Sequence, residues 1–140
     1  MNWRQRTSFA ALFTVAAVSA ATDPGWLRNV PGADRTRTNP YAGRTEAIAA
    51  GRKLFLANCA QCHGSDARGW KGKPSLRARE VQQATDGEIF WLLKNGERRH
   101  GMPSWNSLPA PSRWQIIAYI KSLGESGATG PAGRDEEGKR

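Results

Sequence analysis

An all-α domain of three to four helices is predicted by three observations. Apolar residues recur at helical spacing in three segments, around residues 48–55, 90–93 and 116–123. Between them lie clusters of Gly, Pro and polar residues, with no apolar–polar alternation longer than a few positions. A Thr85-Asp86-Gly87-Glu88 capping box marks the start of one helix.

The first helix is expected near Thr45. Glu46 sits in its first turn, and Ile48, Gly51, Leu54 and Phe55 follow at helical spacing. It runs into Cys59-Ala60-Gln61-Cys62-His63. Residues 64–84 read as a loop-rich region with turn residues Gly64, Gly69, Gly72 and Pro74. The capping box opens a short helix through Phe90, Trp91 and Leu93, closed by Asn95-Gly96. Residues 97–109 form a second loop holding His100, Met102 and Trp105. The last helix starts near Pro111, since proline is tolerated in a first turn. Ile116, Tyr119, Ile120 and Leu123 mark its buried stripe, and Gly124 ends it.

The rest of the chain is read from composition. Residues 1–21 have the form of an export signal: Arg4 and Arg6, then a small and apolar run over 9–21, too short for a relaxed bilayer span. Cleavage is expected near Ala20 or Ala21, and an uncleaved membrane anchor is the alternative. Residues 22–44, rich in Pro, Gly, Arg, Thr and Asn, read as a loop or extended arm, either a docking segment or a plain spacer. Residues 124–140 read as a flexible charged tail.

The 140 residues suffice for one small domain plus tails. The formal charge is +9, but no tract of five or six basic residues and no aromatic-interleaved basic motif indicates nucleic acid. The diffuse positive charge suits an acidic protein surface or anionic headgroups, or serves solubility alone. The two cysteines, three apart, cannot form the framework of a disulfide-stapled domain. A bound apolar cofactor is one way for so small a domain to complete its core.

Cys59-x-x-Cys62-His63 has the spacing of a haem c attachment motif. Two thiols three residues apart can each add to a vinyl group on one porphyrin edge, and the next imidazole then reaches the iron. A thioredoxin-like redox pair would need a βαβ context. Structural zinc needs about four ligands, and the chain holds two Cys and two His. A plain disulfide is the third rival. Elimination names the second axial ligand: beyond Met1 the chain has one methionine, Met102, and beyond His63 one histidine, His100. Met102 sits in a polar loop between Gly101 and Pro103, where core filling is a poor explanation, and is preferred. His100, beside Arg98 and Arg99, also reads as a solvated surface residue.

Over residues 45–123 the chain resembles a class I cytochrome c of the small bacterial type. Gly51 and Phe55 match the Gly–aromatic pair of that family's first helix, Phe55 lying four residues before the first haem cysteine, and Ile116 and Tyr119 match the pair on the last helix where the two cross. The resemblance implies a small fold of three to four helices around one covalent haem c with iron. It implies that the Pro74 carbonyl accepts the hydrogen bond of His63, a turn proline being the alternative. It places Leu76 on the haem edge. Trp91 and Trp105 are large enough to wall the pocket, and an indole N–H, Arg77 or Arg79 could meet a propionate.

The function so implied is periplasmic electron transfer with His63 and Met102 as axial ligands and no catalytic group. The expected partners are redox proteins, a periplasmic dehydrogenase and a terminal oxidase among them. A membrane association is expected only if residues 1–21 stay attached. Two rivals remain: a haem enzyme or gas sensor whose sixth ligand leaves, and a dedicated cytochrome subunit of one oxidoreductase complex.

Overall fold

The computed structural model describes residues 25–128, with side chains to residue 124. The signal expected at 1–21 and the tail beyond residue 128 lie outside the described residues. Among the described residues six α-helices follow one another: α1 (Gly32–Arg35), α2 (Thr45–Asn58), α3 (Ala60–His63), α4 (Arg79–Gln83), α5 (Asp86–Asn95) and α6 (Ala110–Ala128). Short 3-10 turns cover Gly25–Asn29 and Arg98–His100. Among the described residues the only β pairing is an isolated bridge between Glu97 and Met102.

The crossing of α2 and α6 is the most extensive packing between elements. In α2, Ala47, Gly51 and Phe55 are buried at four-residue intervals, one stripe of the helix. At Gly51 the backbones touch: a Cβ built there would fall inside the carbonyl of Gln115 and lie 3.1 Å from the Tyr119 Cβ. The Phe55 and Tyr119 rings meet at 5.3 Å with a 54° tilt. Ile116, Tyr119, Ile120 and Leu123 are all buried, and so are Trp114, Ile117 and Ala118. Helix α6 is covered on more than one face because α4 and α5 pack on it as well as α2. It also runs past Gly124 to Ala128, beyond the end expected from the glycine.

Helix α5 starts at the capping box. The Thr85 hydroxyl accepts from Glu88 N at 3.1 Å and Glu88 Oε2 accepts from Thr85 N at 2.8 Å. Helix α4 lies inside the region expected to be loop. It has five residues and one apolar side chain, Val81, too short for a periodic signal. Gln82 donates from α4 to the Ile120 carbonyl at 3.0 Å and anchors it on α6.

The reading of residues 22–44 as a loop or extended arm is corrected for 25–44. Val30 is buried, and Trp26, Leu27 and Tyr41 pack against the core. Arg35 donates to the carbonyls of Leu27 and Val30 and pairs with Glu88 at 2.8 Å, while Asn39 donates to the Trp114 carbonyl at 2.9 Å. Local composition hides this because the partners lie 53 and 75 residues away. Glu88 keeps only 9% of its side chain exposed, so its charge needs that cation. Arg35→Ala is expected to cost about 2 kcal/mol, half-exposure of the arginine holding the loss below that of a fully buried pair. A lowered urea midpoint with an unchanged slope would be the sign.

Candidate functional site

Helix α2 hands the chain directly to the cysteine motif. Cys59 closes α2, its N–H donating to the Phe55 carbonyl at 2.7 Å. Its own carbonyl then accepts from Cys62 N at 3.1 Å and His63 N at 3.0 Å, starting the single turn α3. That turn brings residues three and four apart to one side. Both thiols are free, Cys59 buried and Cys62 exposed. Burial, helped by the charge of Cys62, pushes the Cys59 thiol up to about 11. It is therefore a neutral thiol at physiological pH.

His63 Nδ1 lies 3.0 Å from the Pro74 carbonyl oxygen. A carbonyl only accepts, so Nδ1 carries the proton and the Nε2 lone pair is left free. The intervening loop is held in place by its own backbone. Gly69 N donates to the His63 carbonyl at 2.8 Å, Ala67 N to Gly64 at 3.0 Å and Leu76 N to Ala67 at 2.8 Å. Arg77, one candidate for a propionate, donates through Nε to the Asp66 carbonyl at 2.8 Å, and Arg79 is exposed on α4.

Met102 stands on a tight turn. Glu97 and Met102 exchange two backbone hydrogen bonds of 3.0 Å each. Gly96, with φ +75°, lets this turn fold back; a Cβ there would meet Met102 O, the Pro103 carbonyl carbon and Ser104 N at 2.7 Å. Met102 is half-buried against the core. His100, two residues earlier, keeps 82% of its side chain exposed, with Nδ1 3.8 Å from a Glu97 carboxylate oxygen. Lys73 joins the two loops: its ammonium donates to the His100 carbonyl at 2.9 Å. Sequence reasoning missed this tie, since a lone lysine in a basic chain carries no local signal.

Leu76, Val81, Met102, Trp105 and Leu108 are half-buried side chains packed against the core. The Trp105 backbone N–H donates to the Leu93 carbonyl at 2.8 Å. Trp91, expected as a pocket wall, is half-buried on α5 but does not belong to this packed set. The residues fit a haem on chemical grounds. They supply two free thiols, an imidazole oriented through Nδ1, one thioether and partly covered apolar side chains suited to a flat ring. Among the described residues no three His, Cys, Asp or Glu side chains gather to hold a bare metal ion. Nor is any described helix long and apolar enough to cross a membrane.

Comparison with known proteins gives the same picture. Residues 46–120 match the family described as cytochrome c oxidase, cbb3-type, subunit III. The cbb3-type cytochrome c oxidase subunit CcoP of Rubrivivax gelatinosus is 64% identical over 80 residues, which are 56% of this chain and 26% of that protein. The cytochrome bc1 complex cytochrome c subunit of Corynebacterium diphtheriae is 34% identical over 83 residues, 59% of this chain and 30% of that one. The chain thus spans less than a third of these two relatives. Among solved structures, cytochrome cL of Methylophaga aminisulfidivorans superposes with a TM-score of 0.54 at 33% identity, covering 62% of this chain and 59% of that chain. Family match, helical architecture and cysteine motif agree, and the chain belongs to the cbb3-type subunit III family of class I-like cytochromes c, electron-transfer domains whose cofactor is covalent haem c.

Proposed function

We propose that this protein transfers single electrons in the periplasm through one haem c, held by thioethers to Cys59 and Cys62 and ligated by His63 Nε2 and Met102 Sδ. The His63–Pro74 hydrogen bond is the observation that carries this reading. A peptide carbonyl on Nδ1 fixes the tautomer, sets the ring's orientation and raises the basicity of Nε2. Bound haem c supplies one-electron chemistry at its iron. The chain's part is to orient the imidazole through Pro74 and to present the Met102 thioether on the Glu97–Met102 turn. Leu76 and Trp105 cover apolar surface beside them. With His63 and Met102 both serving as ligands, the group would be left to electron transfer rather than to activating a substrate. We infer a dehydrogenase-type donor and an oxidase as acceptor.

Met102→Ala tests the ligand assignment. The variant is expected to retain covalent haem, to lose the weak far-red band of a ferric iron–methionine sulfur bond, and to bind carbon monoxide readily when reduced. If the parent binds carbon monoxide equally well, the displaceable-ligand enzyme or sensor takes the place of the carrier.

A second reading is favoured by the relatives, which are named as subunits of a cbb3 oxidase and a bc1 complex. On that reading the protein stays bound to one oxidoreductase complex. Native electrophoresis of solubilised membranes, stained for haem, separates the two: a free band supports the shuttle and comigration with an oxidase supports the subunit.

A further inference from the structure

The loop that carries the Pro74 carbonyl also displays Trp70, which is 58% exposed. The loop backbone that carries it is pinned. Gly69 N is bound to the His63 carbonyl at 2.8 Å, and the Trp70 carbonyl accepts from Lys73 N at 2.9 Å. Backbone on either side of the indole is thus fixed to the cofactor segment and to the turn that follows. A large apolar ring on backbone that is already fixed leaves only its few side-chain torsions to be ordered when it is covered. Aromatic anchors of this kind dominate the energetics of protein interfaces.

Trp70 borders a recess of about 470 Å³. The recess is lined by Ala60 and Gln61 of the cysteine motif and by Gly64, Asp66 and Arg68 of the loop. Its neighbourhood is cationic. Lys71 lies 5.6 Å from the Trp70 ring centre. Through the Lys73–His100 bond, the loop is tied to the turn bearing exposed Arg98 and Arg99. Segments 64–77 and 97–102 together hold six Lys and Arg against two carboxylates, Asp66 and Glu97. Asp66 is already engaged by Arg68 at 3.1 Å.

We propose that Trp70 and this recess form the docking site for an acidic redox protein, with Trp70 as the central apolar anchor and Lys71, Arg98 and Arg99 as the surrounding cations. The inference rests on the carrier reading and names the surface that reading uses. The occupant is a protein rather than a bilayer because a recess beside an anchor accepts a protruding side chain, which a headgroup plane does not offer. Charge complementarity fixes its sign.

The test is stopped-flow oxidation of the reduced holoprotein by acidic plastocyanin, with benzoquinone as a small neutral oxidant for control. Trp70→Ala is expected to lower the plastocyanin rate constant about tenfold and leave the quinone rate alone. Lys71→Glu is expected to lower the plastocyanin rate and flatten its salt dependence. Plastocyanin rates equal to the parent in both variants, or a salt-independent parent, would overturn the proposal while the carrier reading stands. An equal fall in both reactions for Trp70→Ala would give the tryptophan a structural role and overturn it too. Trp70-dependent sedimentation with phosphatidylglycerol vesicles would move the occupant to a membrane, against the proposal. A parent that exchanges no electrons with the quinone would overturn the carrier reading and, with it, this one.

Discussion

Gly51→Ala is expected to destabilise the holoprotein by about 3 kcal/mol, although it adds one methyl group. Alanine is the better helix former by roughly 1 kcal/mol, so α2 alone would gain. The packing decides otherwise. The new carbon would occupy the place of the Gln115 carbonyl, a backbone group that no rotamer change can move aside. Relief requires α2 and α6 to separate, which loosens Phe55 on Tyr119 and uncovers Ile116. For a domain of this size the loss corresponds to a fall in melting temperature of about 15 °C. Thermal unfolding followed by circular dichroism would measure it. A variant as stable as the parent would mean that the two backbones do not touch at this point.

Cys59→Ser together with Cys62→Ser is expected to abolish covalent haem entirely. A hydroxyl at neutral pH does not supply the nucleophile that a thiol does, and the chain has no other cysteine to substitute. After expression with a maturation system, a denaturing gel stained for haem should show a band for the parent and none for the double variant. The effect reaches the fold as well. Leu76, Val81, Trp105 and Leu108 are half-buried, and a domain this small has little other core to spare. The double variant should accordingly show weakened helical circular dichroism. A haem-stained band surviving denaturation would place the attachment elsewhere.

What could be read in advance divides along physical lines. Helices α2, α5 and α6 announce themselves because each carries its signal within a few residues: Ile48, Gly51, Leu54 and Phe55 at helical spacing, the Thr85–Glu88 box, and Ile116 to Leu123. The cysteine motif was legible for the same reason, since its chemistry is compressed into five consecutive positions. Helix α4 was not, because five residues with a single apolar side chain have no period. The packing of residues 25–44 was not, because it depends on pairs such as Asn39 with the Trp114 carbonyl. A trace was present: Trp26, Leu27 and Val30 are spaced as one helical face. Trp70 was passed over because its meaning lies in its exposure on a pinned loop, which no spacing encodes.

The Arg35–Glu88 pair also sets where this unit can be cut. Glu88 belongs to the helix start that follows the cofactor loop, yet its cation arrives from a stretch that precedes the first long helix. A cassette trimmed to begin at Thr45 would keep every residue of the haem-attachment motif and still strand a buried carboxylate; it would also lose Arg37, whose guanidinium lies 4.4 Å from the centre of the Phe90 ring, itself stacked on Trp114 at 4.0 Å. Transplanted into another protein, the portable module therefore has to reach back at least to Trp26 and Leu27, which pack against the core well upstream of the stretch that looks like the domain.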